Sequence, residues 1–143
     1  MEWNDILVSA FVFAIVSVVI HTVGAIATMD YYTNPAYFPL WSSLMMPNAG
    51  PPGMEFYAVS LSFAFIIGIL FAYAYSVMQK GIPGKGAMKG FNYGILLFML
   101  AGLPTTLMLY ELLAIPLGLI LSWTLESLAI YLIGGAVFSK FVR

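Results

Sequence analysis

Polar and apolar positions along this chain separate on a long scale. Four stretches, Ile6 to Thr28, Tyr57 to Gln79, Phe91 to Tyr110 and Ala114 to Phe138, are apolar at nearly every position, and the polar residues collect between them. A helix needs about 20 such residues to cross a hydrocarbon core about 30 Å thick, at about 1.5 Å of rise per residue. Each stretch meets that length. Strands of a membrane barrel would show runs of roughly ten residues with alternating polarity, and none of the four does so. The pattern predicts an all-α, polytopic membrane protein. It forms a single domain over residues 1–143, a bundle of four transmembrane helices with a long outer loop at 29–56 and a cytoplasmic loop at 80–90.

Composition narrows the class further. Hydrophobic residues make up 62% of the chain and charged residues 8%, and the mean hydropathy is +0.99. Soluble domains carry about 25% charged residues, so a soluble fold is excluded and the lipid bilayer is the first partner. With five cations and a net charge of −1, the chain lacks the phosphate-binding footprint of a nucleic-acid partner. It has no cysteine, which removes disulfides, thiolate metal sites and cysteine nucleophiles together.

The few charges report orientation. Lys80, Lys85 and Lys89 lie between the second and third spans, and Lys140 and Arg143 follow the fourth. Four crossings put all five on one face, which the positive-inside bias makes cytoplasmic, with both termini on that side and a prokaryotic plasma membrane as the expected location. Asp30, Glu55 and Glu111 fall on the outer face. Ala25-Ile26-Ala27 offers a small-x-small cleavage site, but no Lys or Arg precedes the first apolar run and the run exceeds a signal core, so it reads as a retained span.

In lipid, helices associate through close backbone approach at small residues and through interhelical hydrogen bonds. Ser60, Ala64, Gly68, Ala72 and Ser76 recur at every fourth position of the second span. Ala114, Gly118 and Ser122 lead along the fourth to Glu126, and Ala10, Ala14, Ser17, His21, Gly24, Ala25 and Thr28 share a face of the first. These stripes are helix-packing surfaces, and any that is left over would serve a homo-oligomer or another membrane subunit.

His21 and Glu126 are the only ionisable residues inside the spans apart from tyrosines. Counting from the middle of each helix places them within about 5 Å of the same depth, on stripes that face the bundle. They are expected to form a hydrogen-bonded pair, with Ser122 and Ser17 nearby. Two roles compete: a proton or ion relay, since intramembrane ionisable groups are functional by default, or interhelical glue. A single histidine cannot give bis-histidine haem ligation. No cofactor and no metal is expected. Pro104 cannot donate to Leu100 and should kink the third span, making a hinge there, with Thr105 and Thr106 placed to satisfy freed carbonyls. Pro116 falls in the first turn of the fourth span, where proline is tolerated.

The loops add weaker signals. The outer loop interleaves Tyr31, Tyr32, Tyr37, Phe38 and Trp41 with prolines and should lie on the interface, with a short helix at Leu40 to Met46. Met29, Met45, Met46 and Met54 would suit a soft ion, but no His or Cys supports one, and adaptable packing accounts for them. Gly81 and Gly86 have the spacing of a phosphate loop, yet Ala87 and Met88 stand where Lys and Ser or Thr are required. Lys80, Lys85 and Lys89 either set topology alone or also attract anionic lipid.

Gly84-Lys85-Gly86, Gly90 and Gly94, Ile115-Pro116-Leu117, Trp123-Thr124-Leu125-Glu126 and Gly134-Gly135 together resemble a type found among small uncharacterised prokaryotic four-helix integral membrane proteins. The resemblance covers residues 80–138 and implies the fold but no activity. The chain is unlike the small multidrug transporters, which carry an essential acid in the first span, where this one has His21. The leading expectation is a non-enzymatic membrane protein acting as an oligomer or accessory subunit, since no nucleophile and base constellation is visible. The alternatives are a small transporter or channel using the His21/Glu126 pair, and a sensor or enzyme for a lipophilic ligand.

Overall fold

The computed structural model describes residues 2–48 and 50–142; Met1, Ala49 and Arg143 lie outside the described residues. In chain order the elements are α1 (Trp3–Ala27), α2 (Asp30–Thr33), a 3₁₀ turn (Pro35–Leu40), α3 (Met54–Met78), α4 (Gly86–Leu97), a π turn (Phe98–Gly102), α5 (Leu103–Leu112) and α6 (Leu117–Phe141). The described residues contain no strand. Four helical runs, Trp3–Ala27, Met54–Met78, Gly86–Leu112 and Leu117–Phe141, are long and apolar enough to cross a membrane. Helices answer the absence of water in the hydrocarbon core because every interior backbone N–H and C=O is bonded within its own segment.

Antiparallel α1 and α6 form the centre; α3 packs on the outer side of α1, and the α4–α5 run packs on α6. One end, the lysine end, holds the α3–α4 connection and the C-terminus of α6. The other, the loop end, carries residues 28–53 and the α5–α6 turn. Glycine sets the closest approaches. A Cβ on Gly94 would strike the Tyr131 carbonyl and come within 2.7 Å of Leu132 Cα, and one on Gly90 would strike the Gly135 carbonyl. The adjacent glycines of α6 serve different neighbours, since Gly134 receives the ring of Phe13 from α1 while Gly135 receives the Gly90 backbone. On α3, Gly68 lies against Ala10 of α1, where a Cβ would sit 2.8 Å from the carbonyl oxygen. Ala72 is buried beyond it, whereas Ser60, Ala64 and Ser76 are half-buried.

Aromatic rings fill the lysine end. Phe13 packs on Phe71 and Phe138, Tyr75 on Tyr93, and Phe71 on Tyr131, with centroids 5.1–6.0 Å apart. Edge-to-face and offset pairs of this kind add to the area they bury. The Tyr93 hydroxyl donates to the Phe71 carbonyl at 2.7 Å, tying α4 to α3.

Some local expectations need correction, and the break at Pro104 takes a definite form. Leu40 to Met46 is not a helix: the Asn34 side chain accepts from Ala36 N–H and Pro35 takes the first position, so the short helical turn forms earlier, over Pro35–Leu40. Residues 42–46 then turn about Ser42, whose carbonyl accepts from both Met45 and Met46. The break before Pro104 takes the form of a π turn in which Leu103 N–H reaches the Phe98 carbonyl, absorbing the missing proline donor one turn early. Thr106 Oγ1 donates to the Gly102 carbonyl at 3.1 Å, as expected of a residue repairing that break, while Thr105 is exposed. Pro116 is the N-cap of α6, one position before its first turn. Gly118 faces no membrane-spanning helix, because a Cβ there would meet the Tyr31 hydroxyl of the short α2 at the loop end.

Candidate functional site: a buried carboxyl paired with an open imidazole

Glu126 lies nine residues into α6, about 14 Å along the helix from its loop end. Its side chain is 9% exposed, yet it belongs to a helix that must sit in lipid. Three features of the sequence make that burial tolerable. Ser122, one turn earlier on the same face, donates its hydroxyl to Oε1 at 2.9 Å. His21 of α1 places Nδ1 2.8 Å from Oε2. Gly24, one turn along from His21, leaves the space the carboxyl fills, since a Cβ there would overlap both carboxyl oxygens.

The two partners differ in environment. The His21 side chain is 56% exposed, and Nε2 makes no hydrogen bond among the described residues. A ring in this position has one nitrogen committed to the carboxyl and one open. The single proton between Nδ1 and Oε2 can reside on either atom, giving a neutral acid beside a neutral imidazole or a carboxylate beside an imidazolium. Both forms carry no net charge, so the proton can move without adding a net charge to the membrane interior.

An aromatic roof covers the α6 side of the pair. Trp123 Nε1 donates to the Tyr32 hydroxyl at 3.2 Å, and Trp41 stacks on Tyr32 at 4.8 Å while meeting Trp123 edge-on at 6.2 Å. Burial pushes the Tyr32 phenol above its ordinary value of 10.0, and Glu126 adds to that push, whereas the bonds to Trp123 and Thr28 oppose it. Trp41 Nε1 is buried with no hydrogen-bond partner among the described residues. Beside the roof, Thr124 shares a 3.0 Å hydrogen bond with Thr106, linking α6 to α5 just beyond the π turn.

His21, Glu126 and Ser122 thus form one cluster. Ser17 does not join it: its buried hydroxyl donates back to the Phe13 carbonyl at 2.9 Å, one turn nearer the lysine end. Pro104 lies at the start of α5, and Lys80, Lys85 and Lys89 lie at the opposite end of the molecule. The sequence gives Gly24 a packing role and places Tyr32 in the aromatic loop, but does not single out Gly24, Tyr32 or Trp123 as neighbours of the pair. Gly24 sits one turn from His21 on the same stripe, which was the available signal. Among the described residues no group of three or more His, Asp or Glu side chains could hold a metal ion.

The class defined by fold and site is a helical membrane bundle in which a buried Glu carboxyl pairs with a partly exposed His of a neighbouring helix. No family model, curated protein or solved structure matches the chain.

Proposed function

We propose that the protein is a small transporter or channel in which the His21/Glu126 pair relays protons between the loop-end face and the bundle interior. The observation that carries this reading is the asymmetry of the pair: a buried carboxyl bonded to an imidazole that is more than half exposed. From the state in which Nε2 is unprotonated, an Nδ1–H imidazole beside the Glu126 carboxylate, a proton taken up at Nε2 is matched by transfer of the Nδ1 proton to Oε2, which leaves a neutral imidazole beside a neutral acid, and Ser122 holds the carboxyl in place. Tyr32, the other titratable group that senses Glu126, keeps its proton because burial disfavours the phenolate, so it contributes a dipole. The aromatic layer around Phe13 and Tyr131 separates the pair from the lysine end. The π turn, whose Gly102 leaves room for the rings of Phe98 and Tyr131, is the place where that layer can part. A purely structural subunit, or a receptor for a lipophilic molecule, would leave the open imidazole idle.

On this reading the loop end faces outward, the lysines face the cytoplasm, and the membrane is a prokaryotic plasma membrane. Proteoliposomes with a trapped pH-sensitive dye test the function. The wild-type protein should dissipate an imposed pH gradient, and Glu126→Gln, which keeps the shape and the Ser122 bond, should slow this on the order of a hundredfold. His21→Ala should be impaired as well. Equal flux in wild type and both variants would dispose of the relay.

A further inference from the structure

Away from the pair, the lysine end carries an open groove of about 540 Å³ between the α3–α4 connection and the flank of α4. Met78, Ile82, Pro83, Ile95 and Met99 line it, with Asn92 at its edge. Its shape is fixed by the backbone: Gly84 adopts φ +99° and Gly86 φ +52°, turning the connection back on itself, and the Asn92 amide donates to the Pro83 carbonyl at 3.0 Å. Met78, Ile95 and Met99 are exposed, so the groove opens sideways toward lipid.

The charges around it share one sign. Lys80 and Lys85 lie on the connection that forms one wall and are exposed, and Lys89 is one helical turn before Asn92 on the other wall. The acids described at this end, Glu2 and Asp5, lie at the start of α1, and none occurs between Lys80 and Leu97. We propose that this groove binds an anionic phospholipid, with one acyl chain along Ile82, Ile95 and Met99 and the phosphate held by Lys80, Lys85 and Lys89. The occupant follows from complementarity. An apolar trough that opens laterally suits a hydrocarbon chain, and cations at the depth of the headgroups suit its phosphate. Its volume is that of an ordinary ligand site.

Native mass spectrometry of the detergent-purified full chain, with phosphatidylglycerol and phosphatidylcholine added in equal amounts, tests this site. Wild type should retain phosphatidylglycerol over phosphatidylcholine by roughly tenfold or more, as expected where each lysine contributes to headgroup attraction. The Lys80→Gln/Lys85→Gln/Lys89→Gln variant, altered only on the surface, should lose the preference. Ile95→Trp, which fills the trough, should reduce retention of both lipids. Equal retention of the two lipids by wild type would overturn the proposal, as would a preference that survives removal of the lysines. Lipid retention unchanged by Ile95→Trp would overturn the assignment of the acyl chain to the groove. None of these readouts depends on proton flux, so the lipid site and the relay fail separately.

Discussion

At the lysine end, Gly90, Gly94, Gly134 and Gly135 bring α6 into close contact with α4 and α1, and Phe13, Tyr75, Tyr93 and Phe138 fill the space that remains. At the loop end, α5 is exposed on most of its residues, the loop-end half of α3 likewise, and side-chain hydrogen bonds join α6 to its neighbours: His21 to Glu126, Thr106 to Thr124, Trp123 to Tyr32. The difference follows from what lipid rewards. Apolar side chains gain little by leaving lipid for another helix, so tight association of spanning helices needs small residues at their contacts, and in the lysine half glycines bring the backbones of α4 and α6 together. The loop half forgoes that packing. It holds a π turn and a buried carboxyl instead, features that carry a cost and mark functional segments.

Breaking the tight half should produce the largest effect. Gly94→Leu drives a side chain into the Tyr131 carbonyl and Leu132 Cα, both backbone, which cannot yield as a flexible side chain would. A loss of at least about 3 kcal/mol is expected, seen as a large fall in melting temperature in detergent. The same substitution at Gly118, opposite only the movable Tyr31 hydroxyl, should cost far less and so separates helix packing from loop packing. In the loose half, Gly24→Ala should displace the Glu126 carboxyl and impair proton flux, with a stability cost of about 1–3 kcal/mol. Flux unchanged in Gly24→Ala would argue that the carboxyl position does not matter. Thr106→Val removes both the Gly102 and the Thr124 bonds, for a loss of about 0.6–1.7 kcal/mol measured by thermal unfolding.

The smallest expected effect concerns the roof. Because burial raises the Tyr32 phenol above its ordinary 10.0, the folded state favours the neutral form. Stability from this source is intact below pH 10.0 and falls as the pH climbs through the folded value. Comparing alkaline unfolding of wild type and Tyr32→Phe checks the sign: the variant should be the less sensitive to high pH.

Much of this was legible in the sequence because bilayer thickness and helical rise convert apolar run length directly into spans, and the same arithmetic put His21 and Glu126 at matching depths. Gly24 was less legible. Its stripe position was visible, but a glycine's role depends on what stands opposite, and the carboxyl that fills its gap comes from a helix a hundred residues away in sequence. The Tyr32–Trp123 bond has the same character, joining an irregular loop to α6. Pro104 announced a break but not its form, since a kink and a π turn both relieve the missing donor. The helical turn of the loop falls before Leu40 to Met46 because Asn34 caps it and Pro35 starts it.

The central claim is that His21 and Glu126 exchange one proton with the loop-end side, and infrared difference spectroscopy of the reconstituted protein measures this directly. When protons are delivered by a pH jump on the loop-end side, wild type should show a carboxyl band that changes together with the imidazole ring bands. The carboxyl change should vanish in Glu126→Gln and lose its accompanying ring bands in His21→Ala. A wild-type carboxyl band that stays constant after the jump would contradict the relay and leave the pair a structural bond between α1 and α6.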